Sequence, residues 1–126
     1  MTDTSQVANA LVAHCRNGTT QQGVDELYAQ NAQSVEAWAM PGGDQTVWDG
    51  TEAIKGKQQW WEDNFEVHSV NIDGPYVNGD AFSVIFEIDA TNKGTGERSA
   101  MKEIGNYEVS GGKIQREAFF FPPMPG

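Results

Sequence analysis

Apolar residues first recur at helical spacing. Val7, Ala10, Leu11, His14 and Cys15 form one stripe, which predicts a helix over residues 5–17 that stops at Asn17-Gly18. A second, short helix is expected from about Gln21 to Ala29, capped by Thr19 or Thr20, with Val24, Leu27 and Tyr28 inward. Gly23 argues against it, since glycine in a helix interior costs up to about 1 kcal/mol. A strand through Val35–Met40 follows, then a loop at Pro41-Gly42-Gly43-Asp44. A third helix is expected from about Thr51 to Phe65, with Ile54, Trp61 and Phe65 along one side. Trp60 lies above Ala53 and Gly56, where small residues would admit a close neighbour. Beyond that point the period becomes two, and strands are expected over 66–76, 81–92, 97–109 and 113–121. The turns between them, Asn78-Gly79-Asp80, Lys93-Gly94-Thr95-Gly96 and Ser110-Gly111-Gly112, imply antiparallel hairpins. Residues 1–4 and the proline-rich 122–126 read as tails. Helices followed by a long, strongly bent, mostly antiparallel sheet make an α+β domain.

Length and charge narrow the possible partners. The 126 residues fit a single domain, 1–126, with one core. A net charge of −10 argues against nucleic acid and anionic membranes, both of which reward clustered Lys and Arg. No apolar run approaches the roughly 20 residues needed to span a bilayer. The first residues lack the basic and apolar regions of a signal peptide. The single cysteine excludes an internal disulfide framework. These features point to the cytoplasm.

Three carboxylates fall on apolar faces. Glu36 alternates with Trp38 and Met40, a setting that disfavours charge and raises a carboxyl pKa toward neutrality. Such a group can transfer protons near pH 7. The alternative is an edge strand with Glu36 in water. Glu103 shares a face with Met101, Gly105, Tyr107 and Val109, and Glu117 with Gln115, Phe119 and Phe121. Glu87 and Asp89 face solvent beside Ser83 and Thr91. His14 reads as a hydrogen-bonded core or pocket-rim residue. His68 alternates with Val70 and Ile72; it is either a proton carrier or simply bonded to a carbonyl. Trp38, Trp60, Trp61, Tyr107, Phe119 and Phe121 are the aromatic candidates for a small-molecule pocket, or for plain core. No Gly-rich phosphate loop follows a strand, and no His or Cys pair has metal-ligand spacing, so neither cofactor nor metal is expected. Cys15, on a buried stripe, suits packing better than nucleophilic attack.

Five short motifs, in this order, carry a family resemblance: Leu-Tyr-Ala-x-x-Ala (27–32), Ala-Ile-x-Gly-Lys (53–57), Val-His-Ser-Val (67–70), Thr-Asn-Lys-x-Thr-Gly-Glu-Arg (91–98) and Gly-Lys-Ile-x-Arg-Glu-x-Phe-Phe (112–120). With them the chain resembles the SnoaL-like branch of the ketosteroid isomerase and nuclear-transport-factor-like superfamily. The resemblance implies a cystatin-like conical α+β barrel, a mixed bent sheet around three helices, a deep apolar pocket and a homodimer through the outer face of the sheet. It implies cofactor-independent proton transfer on a small, apolar, carbonyl-bearing molecule, of isomerase, cyclase or dehydratase type. A non-catalytic binding or dimerisation module of the same fold is the alternative. Glu36 falls where the isomerase base stands, and Glu103 within a residue of its protonated acid. Glu117 and Phe121 match pocket positions of the last strand, with His68 or Glu117 as auxiliary proton carrier. The tyrosine of the first helix is replaced by Leu11, with His14 one turn later, so half of the oxyanion hole is missing.

Overall fold

The structure, a computed structural model, describes residues 3–39 and 43–122. Helix α1 spans Thr4–Asn17 and opens on a reciprocal cap. Asp3 accepts from the Gln6 backbone N–H at 2.8 Å, and the Asp3 N–H donates to Gln6 Oε1 at 2.9 Å. Asp3 and Thr4, expected in a tail, therefore begin the first helix. Its buried residues are Val7, Ala8, Leu11 and Val12. The buried stripe thus turns toward Ala8 and Val12, leaving His14 and Cys15 half-buried at its edge. Gly18, at φ 72°, ends the helix in the left-handed region.

Helix α2 spans Thr20–Leu27. Its doubtful glycine has a packing reason: a Cβ on Gly23 would stand 3.1 Å from His14 Cβ, so the missing side chain lets α1 and α2 approach. Strand β1, Tyr28–Val35, starts directly at the helix end, earlier than the spacing predicts. Beyond it the Glu36 N–H still donates to the Thr46 carbonyl at 2.8 Å, beside a short strand β2, Val47–Asp49, which the alternation does not reveal. Of the expected loop, Pro41 and Gly42 lie outside the described residues. Helix α3 spans Thr51–Asn64, and Phe65 opens the next strand instead of ending the helix. Among the described residues nothing beyond its own helix lies within 4 Å of a Cβ built on Gly56, contrary to the expected close packing.

Strands β3 (Phe65–Asn78), β4 (Ala81–Asn92), β5 (Arg98–Ser110) and β6 (Lys113–Phe120) lie within a few residues of the expected bounds. The sheet order is β2-β1-β6-β5-β4-β3. Among the described residues the β1–β6 pair alone is parallel, so the sheet is mixed and mostly antiparallel, with β2 and β3 at its edges. Register breaks in β1, β3 and β5–β6 supply local bends of the kind that curve a sheet around its helices. Phe82, Val84, Phe86, Tyr107, Val109 and Ile114 form the inner face and meet Val7, Leu11, Val24, Leu27 and Ile54 from the helices. The fold is α+β. No helix of the described residues is long and apolar enough to cross a membrane.

Candidate active site

The core does not fill the space between α3 and the neighbouring ends of β5 and β6. A cavity of about 350 Å³ remains there. Each wall follows from a simple periodicity. Ala32 and Ser34 are fully buried on the inward face of β1, and Glu36 continues that alternation. Across the parallel pair, Ser34 stands beside Glu117, and Glu117 stands opposite Tyr107 of β5. Two residues further along, Phe119 faces Gly105; two residues before that glycine comes Glu103. From α3, Lys57 follows Ile54 by three residues and so shares its buried side.

Lys57 organises this end of the cavity. Its Nζ donates to Ser34 Oγ at 2.6 Å and to Glu36 Oε1 at 2.9 Å. The ammonium lies 4.8 Å from the Phe119 ring centre and 5.2 Å from that of Trp48. Aromatic faces and a carboxylate thus surround the Lys57 head group on the cavity side. Only 8% of Lys57 is exposed, so its charge is spent inside the protein.

The remaining carboxyls have no such partner. Burial, reinforced by the negative charge of Glu36, pushes Glu103 up to about 7, while Lys57 pulls the other way. Burial likewise raises Glu117, against the favourable influence of Lys57 and of the Tyr28 hydroxyl. Glu117 Oε1 has no hydrogen-bond partner. Around these groups the wall is aromatic. Trp38 and Phe121 stack at 5.1 Å, Trp61 and Phe65 at 4.1 Å, and Trp60, Ile88 and Met101 complete the apolar surface. A carboxylate fixed by a cation beside a carboxyl held near neutrality can serve as base and acid in the same cavity.

The family profile described as SnoaL-like domain matches residues 1–121. The chain belongs to the SnoaL-like family. A crystal structure from Mesorhizobium loti, provisionally described as a SnoaL-like polyketide cyclase and also labelled carbohydrate phosphatase, is 38% identical to this SnoaL-like chain. It covers 93% of this chain and 97% of its own, with a TM-score of 0.85. A ketosteroid isomerase-like protein of Catenulispora acidiphila in complex with trimethylamine matches at TM-score 0.72 and 20% identity, over 92% of this chain and 85% of its own. TerC co-crystallised with polyporic acid matches at 0.73 and 16%, over 90% and 89%. These two likenesses concern the fold. Among curated proteins none matches.

Within this SnoaL-like fold, Glu36, Glu103 and Glu117 open onto one cavity together with Trp38, Trp60, Trp61, Phe119 and Phe121. Three other expected positions stand apart. His68 is exposed on β3, bonded through Nε2 to Thr91 Oγ1 at 2.7 Å; β3 is an edge strand, and there both faces meet solvent. Tyr107 backs the wall instead of lining it, stacked on Phe82 at 4.7 Å and edge-on to Phe119 at 6.3 Å. His14 binds Thr19 Oγ1 and Glu26 Oε2, each at 2.7 Å, and ties α1 to α2 away from the cavity. Met40 lies outside the described residues. Lys57 and Gln58 are on the cavity without having been singled out, although both fall between Ile54 and Trp61 at helical spacing. Cys15, pushed up to about 12 by burial and by Glu117 and Glu103, stays a packed thiol.

Proposed function

We propose that this SnoaL-like protein catalyses cofactor-independent proton transfer on a small, largely apolar, carbonyl-bearing molecule held in the cavity. Glu36 is the general base, oriented by Lys57. Glu103, in its protonated form, donates a hydrogen bond to the oxygen on which negative charge develops. The observation that carries this reading is the pairing of an ion-paired carboxylate with a carboxyl raised to about 7 in one aromatic cavity. The molecules named with two fold neighbours, polyporic acid and trimethylamine, favour small-molecule binding more generally. Lys57 also supplies a strong donor at the cavity where the first helix carries Leu11 in place of the superfamily tyrosine, and its third N–H is free of the two acceptors named above.

The test is exchange of α-protons from a panel of cyclic ketones in deuterated buffer, followed by NMR. Glu36→Gln is expected to slow catalysed exchange by about a hundredfold or more while ketone binding persists. Unchanged exchange removes Glu36 from the role of base. A second reading, a pocket that binds without catalysing, is favoured by the hydrogen bond that Lys57 already makes to Glu36. It predicts saturable ketone binding with no exchange above background in the parent protein.

For a partner we propose a second copy of the chain on the outer face of the sheet. There Ile104 and Phe120 pair directly across β5 and β6, 37% and 59% exposed.

A further inference from the structure

Donors and acceptors around the cavity are out of balance. Lys57 is the one cation among the described lining residues, and Ser34 and Glu36 already hold it. Four carboxyls line the same space: Glu36, Glu62 at the exposed rim, Glu103 and Glu117. Glu117 is only 2% exposed, and its Oε1 has no partner. Gln58 Oε1, on α3, is buried and equally unpartnered. A buried acceptor left without a donor costs about 1–3 kcal/mol, so two of them on one cavity are complementary to a ligand that brings N–H groups. The surrounding surface is a set of indole and phenyl rings, whose faces attract cations.

We propose that the cavity takes a ligand carrying a protonated amine, which donates to Glu117 and Gln58 while its carbon substituents lie on the aromatic wall. The inference rests on the binding role proposed above and narrows its substrate class to amino ketones. The amine occupies the Glu117 side, and the carbonyl is left to Glu103. Charged and titratable groups face Glu117 from every side: Tyr28 on β1 and Glu36 beyond it, Lys57 on α3, Tyr107 and Glu103 on β5, and Cys15 on α1. Burial favours the neutral acid there, and an adjacent ammonium favours the carboxylate. A charged amine at Glu117 therefore offsets the cost of burying its carboxylate.

A matched pair of probes tests this: 4-piperidone, whose protonated nitrogen carries two N–H groups, and cyclohexanone, which replaces the nitrogen by carbon. Titration calorimetry at pH 7 reads the affinity of each. The amine is expected to bind at least about tenfold more tightly, as for a hydrogen bond to a charged group. Glu117→Gln should abolish most of the preference; Gln58→Leu, which leaves the acid in place, should weaken it. Equal affinities, a preference for cyclohexanone, or failure of the amine to saturate the protein overturns the proposal. Amine preference with no α-proton exchange on either ketone instead overturns the catalytic reading and leaves the amine site standing.

Discussion

Lys57→Met leaves Glu36 and Ser34 facing a thioether, so the Glu36 charge loses its counter-ion in a site where water has little access. Breaking one side of a buried ion pair costs about 3 kcal/mol, and denaturant unfolding is expected to register a loss of that order. Adding Glu36→Gln should recover part of it, giving a coupling of at least about 1 kcal/mol in the double-mutant cycle. Glu103 makes a prediction about pH. Its folded pKa, about 7, lies above the ordinary 4.5, so the folded protein holds the proton more tightly than the unfolded chain. Its contribution to stability is therefore complete below about pH 4.5 and is lost as pH rises through 7, by up to about 3 kcal/mol. Glu103→Gln should flatten the fall in melting temperature between pH 5 and 8. Glu103 was legible as cavity-facing from period two on β5; Glu36 reaches the cavity just past the end of β1 at Val35, not on the strand over Val35–Met40 that the alternation suggested. Lys57 was not legible, because a lysine near the middle of a polar-looking helix reads as solvated until its acceptors on another element are known. His68 misled because β3 is an edge strand, and there both faces meet solvent: Val67 and Val70 are exposed, as His68 is.

At the scale of elements, Gly105 makes the clearest prediction. The Tyr107 ring folds back over it, so that a Cβ there would stand 2.8 Å from Tyr107 Cε2 and Oη. Phe82 and Phe119 hold that ring from two directions and leave it little room to give. Gly105→Ala should cost about 1–3 kcal/mol by overpacking and tilt Phe119 into the cavity, which a loss of ketone affinity would report. The β4, β5 and β6 hairpins were readable because each turn carries glycine or asparagine between alternating runs. Strand β2 was not, being three residues long with its pairing set by β1. The end of α2 came out two residues long for a related reason. Tyr28 and Ala29 extend the helical apolar pattern, yet the chain leaves the helix there to pair with β6.

For the whole molecule, the apolar residues on the outer face suit self-association. Phe120→Lys with Ile104→Lys is expected to give a monomer in sedimentation with the fold retained, since both side chains already meet solvent in the single chain. An unchanged dimer in that variant would move the interface elsewhere. The parallel pairing of β1 with β6 has its own consequence for how the protein is made. Tyr28–Val35 finds its main neighbour only in Lys113–Phe120, almost at the other end of the chain. During synthesis the segment that leads into Glu36 emerges early and waits, with β2 as its sole sheet neighbour and little stability of its own. A nascent chain halted at residue 112 would already contain Glu36, Lys57 and Glu103 but have no strand to join β1 to β5. The cavity is therefore among the last features to assemble, after a long loop has closed, and any chemistry there begins only once the ribosome has delivered the final strand.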